Sequence, residues 1–153
     1  MTTQERTGWR DQALSQRHRE WGVNCPAVDL DFVMLEYDLG RPCAIIEYKN
    51  FRARTVSRAH PSIRALSCLA TNSKIGFFIV RYYSPSDCSS WKFDITPGNE
   101  FGERACEEYF SSPFGTEGYI IEAEFVSFLY GLRGRGHFLP PEVCNNLMMS
   151  KIT

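Results

Sequence analysis

The segment DLDFVMLEYDLGRPCAIIEYKN, residues 29–50, decides how this 153-residue chain is read. Its first half is rich in β-branched and apolar residues, DLGRP at 38–42 has turn chemistry, and CAIIEYKN at 43–50 is again strand-like. Residues 28–49 therefore predict an antiparallel hairpin. Alternate strand residues share a face, so Glu47 and Lys49 point one way and Ile46 and Tyr48 the other. The second strand is apolar on both faces up to Glu47, which puts the two charges at the rim of a core. Charged groups at such a border pair with each other or meet a ligand.

Asp29 and Asp31 share a face with Val33 and Leu35, and Asp31 precedes Glu47 by sixteen residues with the turn about midway. The hairpin thus sets Asp31 beside Glu47, where like charges repel unless a cation lies between them. Register decides whether Asp31 or Asp29 takes that place. Two carboxylates and a carbonyl oxygen, here that of Tyr48, make a hard-oxygen site suited to Mg²⁺ or Mn²⁺. A lysine beside it can orient a nucleophile or neutralise a developing phosphorane-like charge. These are the parts a phosphodiester hydrolase requires.

Working outward, TGWRDQALSQRHREW at 7–21 has Trp9, Ala13, Leu14, His18 and Trp21 near helical spacing, with Thr7 as cap and Gly22 as stop. HPSIRALSCLATNS at 60–73 starts a second helix at Pro61, with Ile63, Leu66, Leu69 and Ala70 as its stripe. IGFFIVRYYS reads as a strand covered on both faces, with Arg81 and Tyr83 near its end at the border of the site. SSWKFDITPGN alternates Trp91, Phe93 and Ile95 against Lys92, Asp94 and Thr96, as a strand with one solvated face does. Residues 98–118 predict a short helix or an irregular excursion. Ile121, Phe125, Phe128, Leu129 and Leu132 mark a C-terminal helix over about 119–133, whose end Arg133 and Arg135 complement. The order predicts a mixed α/β domain with helices flanking one sheet that begins with an antiparallel hairpin.

Composition narrows the classes. At 43% hydrophobic and 14% aromatic, the chain has the apolar surface a folded domain needs. No apolar run nears the roughly 18 residues of a membrane span, and MTTQERTGWRDQ lacks a signal peptide's apolar centre. The expectation is one cytoplasmic domain, 1–153, without membrane contact, its core at about 7–96 and the last helix in a C-terminal extension. Cys25, Cys43, Cys68, Cys88, Cys106 and Cys144 form no C-x-x-C pair and read as reduced thiols. His18, His60 and His137 have no metal spacing and read as structural, with His60 near enough a helix start to approach a phosphate.

Net charge is −1, but residues 1–74 hold eleven Lys/Arg against eight Asp/Glu while 75–153 hold six against ten. Residues 51–74 contain Arg52, Arg54, Arg58, Arg64 and Lys74 and no acid. Such a stretch attracts a polyanion by neutralising phosphates, or is simply a solvated face.

The stretch DLDFVMLEYDLGRPCAIIEYK resembles the PD-(D/E)XK nuclease superfamily, which includes many restriction endonucleases, Holliday-junction resolvases and nucleases of phages and mobile elements. Asp31 matches the motif aspartate, Glu47 the second acid and Lys49 the lysine. The resemblance implies a restriction-endonuclease-like core: a helix, a three-stranded meander, a helix and a further strand. It implies a metal-dependent endonuclease in which Asp31, Glu47 and the Tyr48 carbonyl hold Mg²⁺ or Mn²⁺, and Glu20 of the first helix adds a ligand, as in some members. Lys49 then serves the attacking water, and Arg52, Arg54, Arg58 and Arg64 hold nucleic acid, with DNA the first expectation and a homodimer compatible. A separate strand before Asp31 is not legible in GVNCPAV. The rival reading is an accessory protein of the same fold, of phage or mobile-element origin, that binds nucleic acid or a protein partner without cutting.

Overall fold

The computed structural model describes residues 12–21, 26–55, 57–110 and 119–133. Thr7, Trp9, Gly22, Cys25, Arg135, His137 and Cys144 lie outside them. The first helix is α1, Gln12–Trp21, with Leu14 and Trp21 of its apolar stripe exposed.

The hairpin forms from β1, Phe32–Glu36, and β2, Arg41–Asn50, antiparallel, with Phe32 opposite Ile46 and Met34 opposite Ala44. Gly40, at φ +60°, turns the chain between them, a conformation that a side chain would strain. The ladder then slips, pairing Leu35 with Pro42, so Cys43 is the extra residue of a bulge. Proline, which has no N–H to give, is tolerated there because β2's other neighbour joins only from Ala44 onward.

Helix α2, Pro61–Asn72, carries the chain back so that β3, Gly76–Tyr83, lies parallel to β2, with Glu47 opposite Ile79 and Lys49 opposite Arg81. His60 caps α2: its Nδ1 accepts from the Ser62 amide at 3.2 Å, and Pro61 occupies the first turn, where no N–H is needed. A short helix α3, Pro85–Cys88, follows; Asp87 Oδ2 accepts from both the Ser84 amide and the Ser84 hydroxyl. Strand β4, Lys92–Pro97, returns antiparallel to β3. After α4, Glu100–Tyr109, the two-residue β5, Ile120–Ile121, pairs with the outer edge of β4 and leads into α5, Glu122–Leu132.

The outcome is an α/β architecture: among the described residues, a five-stranded mixed open sheet in the order β1-β2-β3-β4-β5, flanked by helices. Alternation along the strands divides the core in two. On one face Ile45, Phe77 and Ile79 pack against Ile63, Leu66 and Ala70 of α2. On the other, Ala44, Ile46, Phe78, Val80, Phe93 and Ile95 pack against Cys106 of α4 and Phe125 and Phe128 of α5. Phe77, Phe78 and Val80 are each 0% exposed, as the unbroken apolar run of β3 predicts for a strand covered on both faces.

Of the two alternatives open for residues 98–118, a helix forms over Glu100–Tyr109, because Asn99 caps α4 by accepting from the Gly102 amide at 2.8 Å. Two elements differ from the sequence reading. The chain at 120–121 is strand rather than helix, since the free edge of β4 offers it a ladder. The hairpin before α2 has two strands among the described residues, not the three the family resemblance implies. Among the described residues Cys43, Cys68, Cys88 and Cys106 are free cysteines.

Candidate active site at the carboxyl ends of the parallel strands

A parallel pair ends in an open crevice, where strand carboxyl ends leave side chains and loops free to meet a ligand. Here β2 ends in Glu47, Tyr48, Lys49 and Asn50 and β3 in Arg81, Tyr82 and Tyr83. On the face shared with α2, apolar packing stops at Ile45 and Ile79, and polar groups continue the rows: Glu47 and Lys49 on β2, Arg81 on β3, Asp94 and Thr96 on β4.

Glu47 and Lys49 meet as a close ion pair, Nζ to Oε1 2.6 Å, with side chains 11% and 29% exposed. The second carboxylate oxygen, Glu47 Oε2, is buried and has no hydrogen-bond partner among the described residues. Since a buried acceptor left unpaired is costly, this oxygen is open to a further ligand.

Asp31, just ahead of β1, takes a different partner. Its Oδ2 accepts from the backbone amide of Tyr48 at 3.0 Å, the peptide that joins Glu47 to Tyr48. The register that sets Phe32 against Ile46 thus carries Asp31 to the peptide next to Glu47, and Asp29 falls two residues further out, exposed. The Tyr48 ring turns to the opposite face, edge-on to Phe32, Tyr82 and Phe125, where burial pushes its hydroxyl up to about 12. Glu20 is exposed and paired with Arg17 on its own helix at 2.9 Å.

The basic residues divide by role. Arg81 ties down the loop after β2: Nη2 donates to the Phe51 carbonyl at 2.5 Å and the Ala53 carbonyl at 3.0 Å, and Nη1 lies 3.4 Å from Thr55 Oγ1. Opposite it across the ladder, Asp94 has its carboxyl raised by burial, an effect that the Arg81 charge partly offsets. Arg58 donates to the Pro97 carbonyl. Arg52 lies 3.2 Å from Asp87 and over the Phe51 ring, which itself stacks on Tyr83 at 4.2 Å. The Ser84 hydroxyl and amide, with Arg52 adding to them, hold the Asp87 carboxyl below its ordinary range.

Lys49, Arg54, Arg58 and Arg81 line one cavity of about 140 Å³, closed by Thr55, Ile79 and Thr96. Arg58 also borders a groove of about 600 Å³ along α2, where Arg64 and Ser67 lie. Sequence reasoning placed Lys49 and the arginines of 51–74 at the site and Arg81 at its border. It missed Asp94 and Thr96, whose alternation had marked them as a solvated face, and the Tyr48 amide as Asp31's partner.

The donor chemistry near Glu47 is all hard oxygen, which fits Mg²⁺ or Mn²⁺. Among the described residues no three of His, Cys, Asp and Glu gather closely enough to hold a metal ion. An ion here would rest on two carboxylates, completed by backbone and solvent oxygens, as Mg²⁺ commonly does. No helix among the described residues is long and apolar enough to cross a membrane.

Fold and site together define an α/β protein with a charged crevice at the carboxyl ends of the one parallel strand pair among the described residues. No protein-family model, curated protein or solved structure matches the chain.

Proposed function

We propose that this protein is a metal-dependent nuclease of the PD-(D/E)XK type, hydrolysing phosphodiester bonds in nucleic acid, with DNA the first substrate to test. The reading rests on one observation: Glu47 Oε2 is buried and unpartnered among the described residues, in a carboxylate already bound to Lys49, at the rim of the parallel pair. Asp31, pinned by the Tyr48 amide, would offer its other oxygen as the second ligand, and the Tyr48 carbonyl a third. A bound Mg²⁺ or Mn²⁺ would supply an activated water and offset charge on the scissile phosphate. Lys49, held 2.6 Å from Glu47, would orient that water or neutralise charge that develops in the transition state. Arg54, Arg58 and Arg64, at the mouth and along the α2 groove, would hold the backbone on either side. Exposed Phe32, Val33 and Leu35 on the edge strand β1 support pairing of two copies.

The deciding experiment incubates plasmid, single-stranded and branched DNA with the protein in Mg²⁺ or Mn²⁺, beside Asp31→Ala, Glu47→Gln and Lys49→Ala. Cleavage by the wild type that falls at least about a hundredfold in each variant is expected. Cleavage that persists equally in all three would remove these residues from the reaction.

The second reading, a non-cutting nucleic-acid-binding protein of this fold, is favoured by the Lys49 bond itself, which satisfies half of Glu47 without a metal. It predicts DNA binding with no heat of Mn²⁺ binding and no cleavage.

A further inference from the structure

The four cations around the cavity at the strand ends differ in how they are held: Arg54 and Arg58 are exposed, Lys49 and Arg81 partly buried. Arg81 is fixed by three acceptors of the 51–55 loop, Arg58 by the Pro97 carbonyl and Lys49 by Glu47, so three of the four are positioned before any ligand arrives. Like charges gathered this way repel, and that cost is recovered when an anion enters. The carboxylates beside them are Glu47 and Asp94, which leaves a balance of +2 even with both ionised. Arg81 Nε is buried with no hydrogen-bond partner among the described residues, so a further N–H is available. Thr55 and Thr96 add hydroxyls to the wall.

At about 140 Å³ the cavity far exceeds the roughly 10–15 Å³ that admits one water, and it has room for a tetrahedral oxyanion with part of its hydration. Planar guanidinium forks match phosphoryl oxygens in geometry as well as charge.

We infer that Lys49, Arg54, Arg58 and Arg81, with Thr55 and Thr96, form a receptor for a single phosphoryl group of nucleic acid, one that binds without a metal ion. The group is either a terminal phosphomonoester or a backbone phosphodiester. The receptor deepens the nuclease reading, on which its nucleic-acid ligand rests, but does not require hydrolysis, since cations and hydroxyls hold a phosphoryl group without cutting it.

The test is calorimetric titration of the full chain with inorganic phosphate in EDTA, at ionic strength matched with chloride. One saturable site is expected, weakened about tenfold by Arg54→Gln, the loss of one charge-assisted contact, and abolished by Thr96→Glu, which puts an anion in the wall. Both positions are exposed, and the circular dichroism of each variant reports its fold. In the wild type, phosphate should also shield Arg54, Arg58 and Arg81 from phenylglyoxal while Arg104, paired with Glu100, still reacts. Oligonucleotides of one sequence, with and without a 5′-phosphate, then separate the sources. A tenfold preference for the phosphorylated end assigns the monoester; equal affinity that falls in Arg54→Gln assigns the backbone. No saturable binding to the wild type, no selective shielding, or affinity unchanged in both variants overturns the receptor. Phosphate binding without cleavage in Mg²⁺ would leave it standing and remove the nuclease reading, and the reverse result would do the opposite.

Discussion

Lys49 Nζ lies 2.6 Å from Glu47 Oε1, two residues along the same strand, while Glu47 Oε2 is buried without a hydrogen-bond partner among the described residues. The pair is therefore bound and incomplete at once. Removing Lys49 strands a largely buried carboxylate, so Lys49→Met should cost about 2–4 kcal/mol, while Lys49→Met combined with Glu47→Gln costs less than the two changes summed. A double-mutant cycle by urea unfolding measures this. Additive costs would show that the two charges do not interact in solution.

The loop over the site hangs on Arg81. Lysine at this position keeps the charge but cannot reach the Phe51 and Ala53 carbonyls with one fork. Arg81→Lys should cost about 1–3 kcal/mol and speed amide hydrogen exchange over 51–55. Unchanged exchange there would mean that the loop is held by other contacts.

Asp94 makes stability fall with rising pH. Burial raises its folded carboxyl above the ordinary 3.8, so the folded state keeps its proton to a higher pH than the unfolded chain does. Stability contributed by this group is then present below 3.8 and lost as pH rises through the folded value. Asp94→Asn should accordingly raise the melting temperature more at pH 7 than at pH 3. A gain of equal size at both pH values would tie the effect to packing instead.

Tyr48 and Tyr119 should ionise late. Burial pushes Tyr48 up to about 12, and Tyr119 reaches about 12 mainly because its hydroxyl donates to Tyr83 Oη. Of the seven tyrosines, at least these two should stay protonated in an ultraviolet titration at pH 11, and the fold should lose stability as pH climbs from 10.0 toward 12. All seven titrating together near 10 would contradict it.

Asn99 joins three elements. Its Oδ1 accepts from the Phe77 and Gly102 amides and its Nδ2 donates to the Ile75 carbonyl and Thr71 Oγ1. Asn99→Ala should cost about 2–4 kcal/mol, the loss of a helix cap and of partners for buried backbone groups. Chemical denaturation reads this directly.

Much of the architecture was legible along the chain because its causes are local. Turn residues between two β-rich runs are enough to specify the hairpin, and Pro61 with its apolar stripe specifies α2. The unbroken apolar run of β3 signals burial on both faces, and its two core clusters bear that out. Glu47 and Lys49 were visible as a charged pair at a core's rim through two-residue alternation alone.

What the chain does not display locally depends on contacts between distant segments. Ile120 and Ile121 become strand because β4 has an edge for them, and Asn99 becomes a cap because α2 and β3 bring Thr71, Ile75 and Phe77 to it. The parallel ladder between β2 and β3 set Lys49 beside Arg81 and brought Arg54 and Arg58 over the same cavity, a grouping that positions 49, 54, 58 and 81 do not announce. Local pattern was enough for the strands β1 to β4, the helices α1 and α2, and the charges that β2 and β3 carry to the rim. Which charges face one another, and that 120–121 pairs with β4, follows from strand order and loop closure, which arise from burial shared among segments far apart in the chain.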